Sequence, residues 1–355
     1  MNEYEEKDLI PKKHFPEGMA APTREDLLLQ LAEYGRAGTE IRMIETSFSE
    51  EDIRLHYIID KKLVLRFCSA PVMTEKRLAE LNRLIGRYRA FGLLCPAFIP
   101  DPDGRFLHTW NGMSCYLAEY IDLPTAEETE LRDADALFAE VRDSVAAFAE
   151  KYRDTDLSET MGMYSLFELS PYDKPDGRDE KQQNFDRLIA ALRGGGHDAL
   201  ADRLSAKHEL IRSRLKAVYR ELPRCMFQGD ENSSNVLIDG EQHFAGLIDF
   251  NMAGTEVIVN YFANLGGGFD EEILEPIGAA VRYEHAAESY RRYQERMFGI
   301  YRATDAEREA LDLFNWIALT AGWPQVCFFL SGLKSDLLRE EILDLLALLA
   351  DAPLN

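Results

Sequence analysis

The chain has 355 residues, enough for two domains, and its 46% hydrophobic content supports a sizeable core. Its 40 Lys and Arg residues stand against 63 Asp and Glu residues, a formal net charge of -23, which excludes nucleic acid and anionic lipid as favoured partners. A cationic small substrate is compatible with this charge, although an acidic surface that only keeps the protein soluble is the simpler interpretation.

The cysteines and the N-terminal residues indicate a cytoplasmic protein. Five cysteines are scattered along the chain, mostly within apolar runs, and none forms a C-x-x-C pair, as expected of buried thiols in a reducing compartment. The first eight residues are charged and lack the apolar core of a signal peptide. No apolar run approaches the roughly 20 residues of a membrane span, so we expect no membrane association.

The first third of the chain predicts helices around a small sheet. Apolar residues recur at helical spacing from Pro22 to about Tyr34, and again from Thr74 to Tyr88. Between them and after them lie short segments with the composition of strands, and Asp60 begins a turn that joins two of them into a hairpin. The predicted strands are 41–44, 53–59, 63–67, 106–110 and 114–120.

The rest of the chain is predominantly helical in pattern. Long helices are predicted at Ala126–Lys151 and Leu200–Tyr219, where apolar residues follow one face. A further helix is predicted to start at Thr255 and to run to Leu265. We find no internal repeat, so the pattern favours a small sheet-bearing part followed by a larger helical part.

The most informative stretch lies between the two long helices and the C-terminal third. Two apolar runs, Val236–Ile238 and Phe244–Ile248, flank an Asp-Gly turn and predict a hairpin. Asp230 and Asn235 precede the first strand, and Asp249 directly follows the second. A hairpin would therefore gather three polar side chains at one end of a small sheet.

These three residue types are those that phosphoryl transfer from a magnesium nucleotide requires. One carboxylate must accept the proton of the acceptor hydroxyl, and hard oxygen ligands must hold magnesium against the phosphates. Asp230 suits the first role, and Asn235 and Asp249 suit the second. Asp and Asn are also common turn residues, but the hairpin and the second Asp favour a site.

The sequence Gln228-Gly-Asp-Glu-Asn-Ser-Ser-Asn-Val-Leu, followed by Leu247-Ile-Asp-Phe, resembles the aminoglycoside phosphotransferase and choline kinase-like family. The resemblance implies an α+β, bilobal, protein-kinase-like fold. It further implies transfer of phosphate from ATP or GTP, with Mg²⁺, to a hydroxyl of an aminoglycoside, an amino alcohol or a sugar-like molecule. The corresponding division is an N-terminal lobe with the nucleotide-covering sheet (1–115), a connector (116–123) and a helical lobe with the catalytic loop and acceptor site (124–355).

The resemblance also implies nucleotide-binding roles in the small lobe. Arg66 takes the place of the family's phosphate-binding Lys, and Val64, two residues earlier on the same strand face, takes that of the apolar residue at the adenine. Glu80 is the candidate partner of this cation, with Glu75 as the alternative. The backbone from Glu119 to Ile121 would bind the adenine edge.

Three positions depart from the family pattern. Gln228 replaces a His that braces the catalytic loop, Arg66 replaces Lys, and the loop that should cover the phosphates contains no glycine. Without glycine, phosphate contacts would shift to hydroxyls such as that of Ser47. A nucleotide-binding pseudokinase or interaction module therefore stays open as a second hypothesis, and a purely structural helical protein as a third. The acceptor and the oligomeric state stay open too.

Overall fold

The computed structural model of the protein describes residues 21–47, 52–69, 73–269 and 275–353. The chain divides into two compact units: Met1–Arg132 with Asp230–Asn251, and Asp133–Gly229 with Met252–Asn355. The segment that carries Asp230, Asn235 and Asp249 therefore groups with the N-terminal residues rather than with the chain on either side of it. The division of the chain at the 116–123 connector stays a prediction.

An antiparallel sheet of six strands forms the centre of the first unit. The order is β1-β2-β3-β6-β4, and β5 also pairs with β6. The β2–β3 turn contains Asp60 and Lys61 at φ values of 49° and 51°, and two consecutive positive values are typical of a type I′ hairpin turn. The predicted strands and this hairpin are confirmed. The strands are β1 (Ile41–Glu45), β2 (Arg54–Ile59), β3 (Leu63–Cys68), β4 (Phe98–Ile99), β5 (Leu107–Trp110) and β6 (Met113–Glu119).

One face of this sheet packs against helix α1 (Arg24–Glu33). The helix begins with a capping box, in which the Thr23 hydroxyl accepts from the Asp26 amide and the Asp26 carboxylate accepts from the Thr23 amide. The shared core contains Leu27, Leu31, Leu55, Tyr57, Ile59, Leu65, Phe67, Cys115 and Leu117. Because strand side chains alternate, the opposite face carries the residues between these, and Val64 and Arg66 lie there.

The second unit is mostly helical and contains one two-stranded sheet, in which β7 (Arg224–Phe227) pairs with β10 (Gly254–Val257). The prediction of a helix from Thr255 was wrong in its start, because Thr255–Val257 pair with β7 and the helix begins at Ile258. The prediction of a helix from Ala126 was also early, because Asp133 caps a helix that begins at Ala134. After α2 (Glu75–Phe91) in the first unit, the helices are α3 (Ala134–Tyr152), α4 (Glu180–Gly194), α5 (Asp198–Val218), α6 (Ile258–Leu265), α7 (Ala279–Ile300), α8 (Asp305–Ala321), α9 (Trp323–Lys334) and α10 (Arg339–Asp351).

Within the described ranges, no single helix combines the length and the apolar composition needed to cross a membrane. The bent pair α8 and α9 meets that criterion only when the two helices are taken together.

A buried carboxyl group lies on β10. Glu256 is 1% exposed and accepts hydrogen bonds from the Val257 amide at 2.9 Å, the Asn260 amide at 3.0 Å and the Ser165 hydroxyl at 3.1 Å. Burial nevertheless raises the pKa of Glu256 from 4.5 to about 7, because these bonds only partly replace hydration of the charged form. The folded protein therefore binds a proton here over a range in which the unfolded chain does not.

Glu256→Gln should make stability less dependent on pH. Because the folded pKa is raised, the stability that this group contributes is fully present below the unfolded value of 4.5 and is lost as pH rises through about 7. Such a shift corresponds to about 3 kcal/mol of unfolding free energy. Urea unfolding at pH 5 and pH 8 should show this loss in the wild type and a smaller change in Glu256→Gln. The exposed Glu241→Gln is the control, and equal pH slopes for Glu256→Gln and the wild type would contradict the raised pKa.

Candidate active site

The three polar side chains of the motif meet at one end of the hairpin formed by β8 (Val236–Ile238) and β9 (Phe244–Leu247). The Asn235 side-chain amide donates to the Asp230 carboxylate at 3.0 Å and to the Asp230 carbonyl at 2.9 Å. The Ile248 amide donates to the Asn235 carbonyl at 3.0 Å, which brings the end of β9 beside the start of β8. Asp249 directly follows Ile248, and its negative charge contributes to the raised pKa of Asp230. The structure therefore brings the three predicted residues together.

Asp230 lies in a partly buried position with directed hydrogen bonds. The pKa of Asp230 is raised, and burial is the largest cause. A hydrogen bond from Asn232 opposes the rise, and the negative charge of the neighbouring Asp249 adds to it. The Asn232 amide donates to the second carboxylate oxygen at 2.8 Å. Sequence reasoning missed Asn232, although an Asn two residues after an Asp is a recognisable turn pattern. The arrangement fixes the carboxylate and favours its binding a proton.

Asn235 and Asp249 fit the oxygen ligands that magnesium prefers. Both N–H groups of the buried Asn235 side chain point at Asp230, which leaves the amide oxygen as a ligand. Asp249 adopts a positive φ of 52°, and its carboxylate accepts from the Asn251 amide at 3.2 Å. In the described part of the chain, no three His, Cys, Asp or Glu side chains form a metal-binding group. A carboxylate and an amide completed by phosphate oxygens is a usual magnesium donor set.

Helix α2 holds the segment that follows Asp249. The Arg77 guanidinium donates to the Asn251 carbonyl at 2.6 Å, and the Tyr88 ring contacts the Phe250 ring edge-on at a centroid distance of 5.7 Å. Both helix residues are buried. Sequence reasoning missed this anchor because the partners are separated by more than 160 residues, and no local pattern marks such a contact.

The hairpin backbone is also tied to the chain after α2. The Leu94 amide donates to the Ala245 carbonyl at 2.9 Å, and the Leu247 amide donates to the Leu94 carbonyl at 3.0 Å. Between them, Gly246 lies so close to Leu94 that a Cβ atom at Gly246 would stand 1.9 Å from the Leu94 carbonyl oxygen. Only glycine fits this close approach, which fixes the position of β9 and hence of Asp249.

Arg66 and Val64 lie on the sheet face opposite to α1. Val64 is buried between its cross-strand neighbours Ile58 and Ala118. Burial opposes the charge of Arg66, but the Tyr116 hydroxyl and the Asp249 carboxylate favour it, and the net result is a raised pKa. The predicted phosphate-binding cation therefore lies near the predicted magnesium ligand.

The acidic candidates on α2 have other partners. The Glu75 carboxylate accepts from the Phe106 and Leu107 amides, each at 2.8 Å, so it orients the start of β5 instead of pairing with a cation. Glu80 is buried and has contacts of its own. Among the ion pairs of the described residues there is none between Arg66 and Glu80. The structure thus does not bring these two together, and the acidic neighbour of Arg66 is Asp249.

The remaining predicted residues differ in which of their hydrogen-bonding groups already have partners. The Glu119 amide already donates to the Ala97 carbonyl at 2.9 Å, whereas the Ile121 amide makes no backbone hydrogen bond within the described ranges. The Ser47 hydroxyl oxygen accepts from the Arg54 amide at 3.1 Å; the loop residues 48–51 that follow it lie outside the described residues. Gln228 follows β7 and is fully buried. The Ile121 amide is therefore the better candidate for the adenine edge.

An antiparallel sheet, a helical unit and a motif that gathers Asp230, Asn235 and Asp249 are the features predicted of a kinase-like phosphotransferase. The model of the phosphotransferase enzyme family matches residues 51–296. This is more than half of the chain, and the chain belongs to that family. The protein is accordingly a small-molecule phosphotransferase.

Solved structures share this architecture at low sequence identity. The streptomycin–ATP ternary complex of APH(2")-IIa is 15% identical, covers 94% of this chain and 99% of its own, and has a TM-score of 0.50. A microcompartment-associated aminopropanol kinase is 13% identical, with 91% and 94% coverage and a TM-score of 0.49. The first likeness confirms the predicted α+β, protein-kinase-like fold. Among curated protein sequences, none matches this chain.

Gly246→Ala should destabilise the protein strongly. The new Cβ atom would meet the Leu94 carbonyl oxygen at 1.9 Å, and relief requires the backbone of β9 to move, at a cost of at least about 2 kcal/mol. The matched control is Gly240→Ala in the β8–β9 turn, where a Cβ atom meets nothing within 4 Å and where we expect a change within about 0.5 kcal/mol. Urea unfolding of both variants measures the difference, and equal stability of the two would refute the close approach.

Proposed function

We propose that the protein transfers the γ-phosphate of ATP, or of GTP, to a hydroxyl of a small molecule with the aid of Mg²⁺. The observation that carries this proposal is the Asp230 carboxylate held by the Asn235 amide beside Asp249. The ATP in the complex of APH(2")-IIa, which shares the fold, supports a nucleotide as the phosphate donor. The reaction would take place in the cytoplasm.

Asp230 acts as the general base. The acceptor hydroxyl oxygen forms a bond to the γ-phosphorus, the bond from that phosphorus to the β–γ bridging oxygen breaks, and the hydroxyl proton passes to Asp230. The hydrogen bonds from Asn232 and Asn235 keep the carboxylate in one orientation. Burial raises the pKa of Asp230, which increases its affinity for the proton that it must accept.

Asn235 and Asp249 would hold the magnesium ion through the amide oxygen and the carboxylate. Bound magnesium neutralises negative charge on the phosphates as the nucleoside diphosphate leaves. Arg66 contributes a fixed positive charge to the same phosphates, and Val64 presents an apolar surface to the base. The backbone of Glu119 to Ile121 binds the adenine edge, Gln228 braces the catalytic loop, and Ser47 contributes a hydroxyl to the phosphates.

The acceptor belongs to the hydroxylated small molecules, and the net charge of -23 favours one that carries positive charge. Aminoglycosides and amino alcohols satisfy both conditions, and sugars satisfy the first. A panel of these compounds, with ADP release as the readout, identifies the class. Gln228, Arg66 and the glycine-free loop, which depart from the family pattern, support the alternative of a nucleotide-binding pseudokinase, which the same panel tests.

Asp230→Asn should abolish transfer and leave nucleotide binding intact. Asn keeps the shape of Asp and one acceptor oxygen but cannot take up the proton, and loss of a general base costs roughly 10²–10⁴-fold in rate. ADP release with the best acceptor of the panel, and calorimetric titration with ATP, measure the two properties. Glu241→Gln, which removes an exposed carboxylate from the same unit, is the control. Wild-type turnover by Asp230→Asn would show that the assignment of the base is wrong.

Asp249→Ala should abolish the magnesium-dependent part of nucleotide binding. Thermal unfolding of the wild type with ATP should shift upward, and Mg²⁺ should increase the shift because bound ligand stabilises the folded state. In Asp249→Ala, we expect the shift with ATP and Mg²⁺ to equal the shift with ATP alone.

Two results with the wild type would contradict the proposed function. If ATP gave no shift with or without Mg²⁺, a nucleotide donor would be excluded. If ATP gave a shift that Mg²⁺ did not change, and no acceptor of the panel released ADP, the pseudokinase would be the better description.

A further inference from the structure

A histidine lies beside Arg66 on the sheet face opposite to α1. In the register of β2 and β3, His56 stands directly opposite Arg66, and in that of β3 and β6, Arg66 stands opposite Tyr116. The residues that flank His56 along β2, Leu55 and Tyr57, point into the core shared with α1. Because side chains alternate along a strand, His56 shares the face of Arg66. Sequence reasoning did not single out this residue.

One nitrogen atom of this pair is buried without a hydrogen-bond partner. The Nε atom of Arg66 is buried without one, and within the part of the chain that the structure describes the His56 ring makes no hydrogen bond. Burial first, and then the charges of Arg66 and Arg54, lower the pKa of His56 well below its usual value, so the ring is neutral and keeps one N–H donor. Buried donors are nearly always paired in folded proteins, so the unpartnered Nε of Arg66 indicates that a ligand completes it. The half-buried His56 ring stands directly opposite and can donate to the same ligand.

Arg54, another basic side chain on this face, is paired through two of its nitrogen atoms. Its Nε and Nη2 atoms donate to the two carboxylate oxygens of Asp52 at 3.0 and 2.5 Å. Its amide donates to the Ser47 hydroxyl oxygen at 3.1 Å, so the Ser47 hydroxyl hydrogen is not used in this bond. Among the described residues, His56, Arg66 and Ser47 therefore offer donors to a ligand.

The face changes from apolar to polar within one step of the strand pairing. Ile58, Val64 and Ala118 form one cross-strand row. Two residues earlier in β2, the next row on the same face contains His56, Arg66 and Tyr116. Two residues of strand span roughly 6.6 Å. A ligand with a flat apolar part and an anionic tail matches this sequence of rows. Asp249, the proposed magnesium ligand, lies near the polar row. Its negative charge raises the pKa of both Arg66 and Arg54.

We propose that His56 is a phosphate-binding residue, which donates with Arg66 to the nucleotide phosphates where the family pattern uses the backbone amides of a glycine-containing loop. The proposal rests on the proposed function, since it assigns a contact of the same nucleotide. A neutral imidazole beside a guanidinium adds a donor without adding a repelling charge. The competing explanation is that His56 only fills space next to Arg66.

Calorimetric titration with ATP, ADP, adenosine and inorganic tripolyphosphate tests this assignment. His56→Leu removes the donor, and we expect about tenfold weaker binding of ATP, ADP and tripolyphosphate, as for loss of a hydrogen bond to a charged group. Adenosine, which has no phosphate, should bind as to the wild type. His56→Gln keeps an N–H donor and should lose less affinity than His56→Leu.

The matched control is Arg42→Gln, which removes an exposed cation from β1 of the same sheet, opposite Ile58, and should leave all four affinities unchanged. Thermal unfolding without ligand checks that each variant is folded, and if His56→Leu is not, His56→Gln against wild type carries the comparison between phosphate-bearing ligands and adenosine.

The outcomes separate this inference from the proposed function. Wild-type affinity for ATP and tripolyphosphate in His56→Leu would overturn the inference and leave the proposed function standing. Equal loss for adenosine and ATP would assign His56 a packing role and also overturn the inference. A wild-type protein that binds no nucleotide would overturn the proposed function, whereas tripolyphosphate binding that depends on His56 would still support a phosphate site.

Discussion

The geometry of the site depends on the two hydrogen bonds from the Asn235 side chain to Asp230. Both N–H groups are used, one on the carboxylate and one on the backbone carbonyl, so the orientation of the whole amide is fixed. These two hydrogen bonds orient the proposed base and at the same time direct the amide oxygen away from it. An aspartate at position 235 could not do the same, because it lacks the N–H donors and would add a third negative charge beside Asp230 and Asp249.

The proposed base, the two proposed magnesium ligands and the proposed phosphate-binding cation all belong to one compact unit. The hairpin is joined to Leu94 by backbone hydrogen bonds and to α2 through Arg77 and Tyr88, and Arg66 lies on the sheet of the same unit. Their mutual distances are therefore set by the strand pairing and the packing of one core. Such a frame suits phosphoryl transfer, in which most of the protein's contribution is positioning and fixed charge.

Local patterns predicted strands β1, β2, β3, β5, β6, β8 and β9 and two hairpin turns, because each of these features is encoded over fewer than ten neighbouring residues. The predicted hairpin in turn brought the three site residues together. The extra contacts were not predictable in that way. Arg77 donates a hydrogen bond to Asn251, and the Leu94 backbone lies against Gly246. Asn232 reaches the Asp230 carboxylate only when the loop between them is folded. The start of α6 was misplaced for a related reason: Thr255 and Val257 fit a helical spacing, but pairing with β7 decides their conformation, and the position of β7 cannot be read locally.

The electrostatics of the sheet face explain why its bases can lie so close together. Two arginines and a histidine on adjacent strand positions would repel one another if all were charged, at an energy that grows as water is excluded. Asp52 pairs with Arg54, Asp249 favours the charge on Arg66, and His56 is neutral. The face thus presents several N–H donors but carries little net positive charge. A phosphate can accept hydrogen bonds from these donors without displacing a charged side chain. A lysine at position 66 would provide the charge but not the fork of donors of a guanidinium, so Arg66 suits the phosphate contact that we propose it shares with His56.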